Sequence, residues 1–298
     1  MFGSDDEEEE KYLSDGVQRP FNCGVLSFHS GTEEALLLYV QRHLSLPTKE
    51  EDDKEEEASS LGGRVLRLID CFCYSRHWMM HIGDQKGAIL SSCLRQITSH
   101  PSSSSSSAAC SSSSSSSSVS KGKVVLELGC YCGYSSILIS NHLQPESDLL
   151  ISVDINEKCI QWTRNMLQLA DIHHVLLLHG EIKTLIPQIL SILKERNKPF
   201  LDLLFIDHDK SLYKKDLLVI ESHHLLGPGT VVVADNVLSF STPLGDYLNY
   251  VRQGEGGSFA SSICYPSRIE YALDDDDGHG ANDGDVSLVD GVEVSVYR

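Results

Sequence analysis

The sequence predicts an α/β fold, a doubly wound and mostly parallel sheet with helices on both faces. Two observations carry this expectation. From Lys123 onward, short unbroken apolar runs alternate with segments of about 15–25 residues whose apolar positions recur with helical spacing. Runs that are apolar throughout mark strands buried on both faces, as in a parallel sheet. Strand and helix in alternation build βαβ units, whose right-handed crossovers distribute the helices over both faces.

The elements follow in chain order. A helix is expected over about 33–44 and a second over about 63–77, where Val65, Leu68, Ile69 and Phe72 form one apolar stripe. A third starts near Asp84, whose side chain can cap "QKGAILSSCLRQI". The strands are VVLEL (124–128), LLISV (149–153), HVLLL (174–178), LDLLFI (201–206) and TVVVA (230–234). Between the second and third, Ile160, Thr163, Met166, Leu167 and Ala170 repeat at helical intervals. A final pair, RIEYAL (268–273) and GVEVSVY (291–297), reads as antiparallel with an acidic insert between its members.

Composition bounds the rest. The chain has 298 residues, but the serine runs Ser102–Ser107 and Ser111–Ser118 and the acidic runs Asp5–Glu10, Glu50–Glu57 and Asp274–Asp277 hold too little apolar surface to order themselves. Residues 1–30 are therefore expected to be a disordered acidic segment. Residues 31–298 form one domain, with low-complexity inserts at about 46–60, 99–120 and 274–285. What remains, roughly 220 residues, suits a single α/β domain.

The net charge of −19 is local, because the acidic runs with Asp283 and Asp285 hold 19 of the 43 acids. The other 24 balance the 24 lysines and arginines, so no basic patch points to nucleic acid. The opening MFGSDDEEEE lacks the basic and apolar regions of a signal peptide, and no apolar run is long enough to span a bilayer. Nine cysteines without zinc-site spacing read as reduced thiols, so a cytoplasmic protein is expected.

Open parallel sheets bind ligands beyond the carboxyl ends of their strands. Polar residues gather there. Strand one ends in Glu127 and turns through "GCYCGYS"; strand two ends in Asp154; strand four runs into Asp207-His208-Asp209-Lys210; strand five ends in Asp235-Asn236. The turn has Gly129-x-x-x-Gly133 where a dinucleotide fold wants Gly-x-Gly-x-x-Gly, with Tyr131 in place of the second glycine. That spacing fits a nucleoside without a pyrophosphate, with Asp154 accepting from a ribose diol; a tight strand–helix turn beside a surface Asp is the plainer alternative. Asp207, Asp235 and Asn236 make a hard oxygen set suited to Mg²⁺. The competing account is that Asp207 caps the helix of "KSLYKKDLLVI" and Asp235 sits in a turn. Lys210 lies one turn beyond Asp207, where a lysine beside a cation can take a proton. Lys214 and Lys215 read as surface lysines. His77 with His81, and the acidic loop 274–285, do not assemble into a metal site by spacing.

These residues resemble the catechol O-methyltransferase family, from about Gly31 to Tyr297 apart from the inserts. The landmarks are "HWMMHIGDQKG" (77–87), "VLELGCYCGYS" (125–135), "VDIN" (153–156), "FIDHDKSLY" (205–213), "VADNV" (233–237) and "IEY" (269–271). The resemblance implies a Rossmann-like sheet of seven strands in the order 3-2-1-4-5-7-6, strand seven antiparallel. It implies S-adenosylmethionine as methyl donor, with its methionine end at Ile82, Glu127, Gly129, Tyr131 and Ser135. The ribose would meet Asp154 and the adenine Ile155 and His208, with Lys183 and Asp207 also counted in the cofactor site. It further implies Mg²⁺ on Asp207, Asp235 and Asn236, with Lys210 as general base and Glu270 holding the second hydroxyl of a catechol. The substrate would lie among Trp78, Met80, Phe240 and those polar groups, in a monomer. Trp78 and Met80 would equally suit a core.

The sequence departs from the family at three places. Asp209 replaces the Trp that follows the His, Phe240 aligns with a Pro of the same aromatic gate, and Ile182-Lys183 replaces a polar pair near the adenine. Asp209 also brings "DHDK" partway to the "DxDK" of caffeoyl-CoA O-methyltransferases. A phenol or CoA-linked diol as substrate, and a non-catalytic protein on the same fold, are the alternatives.

Overall fold

The computed structural model describes residues 31–45, 60–99, 122–239, 241–271 and 289–298. The acidic N-terminal segment, residues 46–59, 100–120 and 274–285 of the inserts, and Phe240 lie outside them. Ser60 and Ser99, assigned above to inserts, belong to helices instead.

Eight α-helices and seven strands alternate as expected among the described residues. They are α1 (Thr32–Leu44), α2 (Leu61–Ser75), α3 (Gly83–Ser99), β1 (Val124–Leu128), α4 (Tyr134–Asn141), β2 (Leu149–Asp154), α5 (Glu157–Leu169) and β3 (Val175–His179). There follow α6 (Ile182–Glu195), β4 (Leu203–Ile206), a 3-10 turn Lys210–Leu212, α7 (Tyr213–Ser222), β5 (Val231–Ala234), α8 (Ser241–Val251), β6 (Phe259–Arg268) and β7 (Val289–Tyr297). The sheet order is β3-β2-β1-β4-β5-β7-β6, parallel except for β7, which runs antiparallel to both β5 and β6.

Period-two burial explains the two helical layers. Along β1, Val125 faces a core built with α1 to α5, whereas Val124, Leu126 and Leu128 face a second core built with α6, α7 and α8. Successive strand side chains point to opposite faces, so a strand that is apolar at every position serves both cores. The helices start where their sequences allow. Ser60 accepts from the Gly63 amide at 2.9 Å to begin α2, whose buried stripe is Val65, Leu66, Ile69 and Phe72, with Leu68 only partly covered. Asn156 accepts from the Lys158 amide to begin α5, and Cys159, Ile160, Thr163, Met166 and Leu167 turn inward.

Strand six is where the expectation fails. Of the described part of RIEYAL only Arg268 is in a strand: β6 ends there, and Ile269–Tyr271 leave the sheet in a turn with Tyr271 at φ 57°. Side-chain partners draw this segment away, since the Trp78 indole donates to the Glu270 carbonyl at 3.1 Å and the Tyr271 hydroxyl donates to Asp70 at 3.1 Å. The true strand, FASSICYPSR, is polar because it is the sheet's edge. One side is wet, and Pro266 is tolerated there.

Candidate active site

The β1–α4 turn and the end of β4 are brought together by one glycine. Gly129 has φ 90°, and a Cβ on it would lie 2.3 Å from the carbonyl oxygen of Asp207. The glycine is therefore demanded by the end of β4 passing alongside, which seats Asp207 against the turn. Asp154, at the end of β2, folds onto the same turn. Its Oδ2 accepts from the Cys130 and Tyr131 amides at 3.1 and 3.3 Å, and its Oδ1 accepts from the Asn156 amide at 2.8 Å. The Tyr131 hydroxyl donates to Glu33 of α1 at 3.0 Å.

A cavity of about 1210 Å³ opens over these strand ends. Trp78, Met80 and Ile82 wall one side; Gly129, Tyr131, Ser135, Asp154, Ile155 and Lys183 another. Asp207, His208, Lys210, Asn236 and Glu270 close it. Two anticipated site residues lie behind this wall. Glu127 is fully buried and its Oε2 accepts from Ser136 and Ser152, both at 2.5 Å, while Oε1 has no hydrogen-bond partner. Burial pushes its carboxyl up to about 7 against the pull of the serine hydroxyls. Asp235 is also fully buried, beneath the floor.

The 207–210 segment explains its own run of polar residues. Asp209, not Asp207, caps the 3-10 turn, accepting from the Ser211 amide at 2.9 Å and the Ser211 hydroxyl at 2.7 Å. These hydrogen bonds hold the Asp209 carboxyl below its ordinary range. Asp207 is left for another partner, and Lys210 Nζ donates to its Oδ1 at 2.8 Å and to the Tyr213 hydroxyl at 2.7 Å. Tyr213 in turn donates to the Asp235 carbonyl at 3.1 Å. Ile206 pairs with Ala234, so Asp207 and Asp235 leave adjacent strands side by side. His208 Nε2 meets Asp216 at 2.9 Å, and its ring stacks on Tyr213.

The sequence reading passed over two groups, Lys86 and Asp290. Lys86, in the first turn of α3, is buried with its Nζ 3.0 Å from Asp235 Oδ2, 2.5 Å from Glu270 Oε1 and 2.8 Å from Asp290 Oδ2. Burial works against its charge, yet the Asp235, Glu270 and Asp290 carboxylates outweigh it and hold the ammonium well above the usual lysine range. Asp290 opens β7, and Asn236 donates through Nδ2 to both Glu270 and Asp290 at 2.8 Å. His81 is buried between the rings of Tyr131 and Tyr134, with Nε2 unpartnered. Burial lowers its pKa to about 3, so the imidazole stays neutral. No sequence signal marks Lys86 or Asp290, since each is an isolated charge until the fold buries it.

The donor set can be tested against a divalent cation. Among the described residues no group of three or more His, Cys, Asp or Glu side chains is arranged to hold a metal ion. The set at the cavity floor is instead two carboxylates and an amide. Two features suit a hard cation, although both carboxylate oxygens of Asp235 are engaged, at 2.9 and 3.0 Å from Lys86 Nζ. Asn236, at φ 58°, spends both amide protons on carboxylates, which leaves its Oδ1 as a free acceptor. Among the described residues the four carboxylates Asp207, Asp235, Glu270 and Asp290 are ion-paired with two ammonium groups, those of Lys86 and Lys210. Burial and those neighbouring carboxylates push the Asp235 carboxyl up, against Lys86. The residues fit.

Comparison with known proteins decides the family. A sequence profile of the O-methyltransferase family matches residues 95–249. Catechol O-methyltransferase of Mus musculus is 33% identical over 95% of this chain and 84% of its own length. Catechol O-methyltransferase B of Danio rerio is 34% identical over 71% of this chain and 69% of its own. The chain belongs to the O-methyltransferase family. Solved structures agree on the fold. Cofactor-bound Rv0187 from MTB matches with a TM-score of 0.52 at 16% identity, over 94% of this chain and 99% of its own. The O-methyltransferase TomG from Streptomyces achromogenes, solved with SAM, matches with 0.50 at 16% identity, over 89% and 98%. The predicted sheet order is thus that of an O-methyltransferase. The profile takes in the Gly129 turn, Asp207–Lys210 and Asp235–Asn236; Trp78, Glu270 and Asp290 come from outside it.

Proposed function

We propose that the chain transfers a methyl group from S-adenosylmethionine to one hydroxyl of a catechol-type substrate, with Mg²⁺ at Asp207, Asp235 and Asn236. The observation that carries the reading is Lys210, 2.8 Å from Asp207, in the same cavity wall as Asn236 and Glu270. Mg²⁺ would neutralise the surplus negative charge of this floor and hold the two adjacent oxygens of a diol. The methyl donor would lie along the Gly129 turn and Asp154; TomG, a fold neighbour, was solved in complex with SAM.

The chain's own groups do the rest. Lys210 takes the proton from the attacking hydroxyl. Its amine is steered by the Tyr213 hydroxyl, which the Asp235 carbonyl fixes in turn. Glu270 accepts from the second hydroxyl and selects a vicinal diol over a lone phenol. Trp78 is locked to the Glu270 backbone, so the apolar wall and the acceptor stay in register. Neutral His81 places no positive charge beside a sulfonium donor. Holding the reactants in line can contribute on the order of 7–11 kcal/mol.

Action as a monomer is part of the same proposal. The seven cysteines among the described residues are all free thiols, in keeping with the cytoplasm. No described helix is long and apolar enough to cross a membrane.

A diol carried on coenzyme A is a second reading. Lys214 and Lys215 line a hollow of about 490 Å³ beside Lys210, together with Asp246, and would meet an anionic arm. Turnover of S-adenosylmethionine is assayed with catechol, a lone phenol and a CoA-linked diol, each with Mg²⁺ and with a chelator. A singly methylated catechol formed only with the metal is expected. Methylation of the lone phenol at an equal rate, indifferent to chelation, would remove the proposal.

A further inference from the structure

Asp290 and Lys86 occupy no position in the substrate or donor contacts proposed above, yet Asp235, Asn236 and Glu270 each bond to one of them. The Lys86 ammonium has three protons and places carboxylate oxygens of Asp235, Glu270 and Asp290 within 3.0 Å. Asp290 uses both of its oxygens. Oδ2 accepts from Lys86 and from Asn236 Nδ2, each at 2.8 Å, and Oδ1 accepts from the Ser239 amide at 3.1 Å, just past Asn236. An amide facing two carboxylates must present its NH₂ to them, because its carbonyl oxygen would be repelled. Asp290 and Glu270 therefore decide which end of Asn236 is left over.

We propose that Lys86 and Asp290 are positioning residues that orient Asn236 Oδ1 and Asp235 toward a divalent cation and hold Glu270 beside it. The inference rests on the functional reading above. Lys86 draws Asp235 and Glu270 together from β5 and from the segment after β6, although three carboxylates in a buried space repel one another. Asp290 holds Lys86 in place and fixes the Asn236 amide and the loop that follows it. Supporting partners of this kind are worth about 10–100-fold in metal affinity. Neither Lys86 nor Asp290 touches the reacting atoms, so the effect falls on binding of the ion and not on the proton transfer.

The test compares the wild type with Asp290→Asn and with the double variant Lys86→Gln/Asp290→Asn, which removes one charge of each sign and retains hydrogen-bonding side chains. Mg²⁺ affinity is measured by calorimetry on the whole chain with S-adenosylmethionine present, alongside kcat and KM for catechol across a range of Mg²⁺. Both variants should bind Mg²⁺ about 10–100-fold more weakly. Excess Mg²⁺ should restore kcat, and affinity for S-adenosylmethionine should be unchanged. Wild-type Mg²⁺ affinity in both variants overturns the positioning role while leaving the function intact. A wild type that neither binds Mg²⁺ nor needs it overturns the function itself. Should either variant fail to fold, nuclear magnetic resonance of the wild type still decides. The Asn236 side-chain amide protons should exchange slowly with solvent, and a rapidly exchanging pair would contradict the orientation argued here.

Discussion

Single side chains carry most of the chemistry. Lys210, the proposed base, is held by Asp207 and Tyr213 at hydrogen-bonding distance, so its replacement would remove the proposed proton acceptor without opening the cavity wall. Lys210→Met is expected to lower kcat by about 10²–10⁴-fold, the usual worth of a positioned base. Calorimetry should find S-adenosylmethionine binding unaltered. Glu127 yields a pH prediction. Its carboxyl rises from 4.5 to about 7 on burial, so between those values the folded chain keeps a proton that the unfolded chain releases. Stability then falls as pH rises through this window and stays lower above it. Relative to Glu127→Gln, the wild type without donor should lose roughly 3 kcal/mol between pH 4.5 and 7.5, read from urea unfolding at each pH. A difference that is flat across the window would show that Glu127 is ionised in the fold. Asp207, Asp235, Asn236 and Lys210 were legible in the sequence because each ends or follows a strand. Lys86 was not: in "GDQKG" it reads as one more polar residue of a helix start, and only burial at 1% exposure gives it a role.

At the scale of elements, strands apolar at every position were read correctly because both faces are buried, as the split of β1 between two cores illustrates. The edge strand escaped notice for the converse reason, since Ser261, Ser262 and Ser267 of β6 face water or polar partners and dilute the alternation. RIEYAL looked more like a strand than FASSICYPSR did, and tertiary hydrogen bonds from Trp78 and Tyr271 overrode that propensity. The turn between β1 and α4 gives a sharper test. Gly129→Ala would force a side chain into φ 90° and against the Asp207 carbonyl. A left-handed non-glycine alone costs about 1–3 kcal/mol. The variant should melt earlier and bind S-adenosylmethionine poorly. Gly245→Ala, within α8 and with nothing within 4 Å of the added carbon, should match or exceed the wild-type melting temperature.

For the whole molecule, the charge of −19 misdescribes the body, because the excess acids lie in runs that stand outside the described residues. The cores and the candidate site are built from the remainder, which explains how 22 residues between Ser99 and Gly122 can be nearly all polar without cost to the sheet. Replacing residues 100–121 by a six-residue Gly-Ser linker should leave methyl transfer unchanged and alter stability by about 1 kcal/mol, the entropy of closing a shorter loop. The central claim is that oxygens from two adjacent strands share a divalent cation with a vicinal diol beside a methyl donor. A crystal structure with Mg²⁺, S-adenosylmethionine and a catechol too electron-poor to react tests it most directly. One octahedral ion at about 2.0–2.1 Å from Asp207, Asp235 and Asn236 and from both catechol oxygens is the expected result. A catechol bound away from these side chains, or an ion coordinated elsewhere in the cavity, would contradict it.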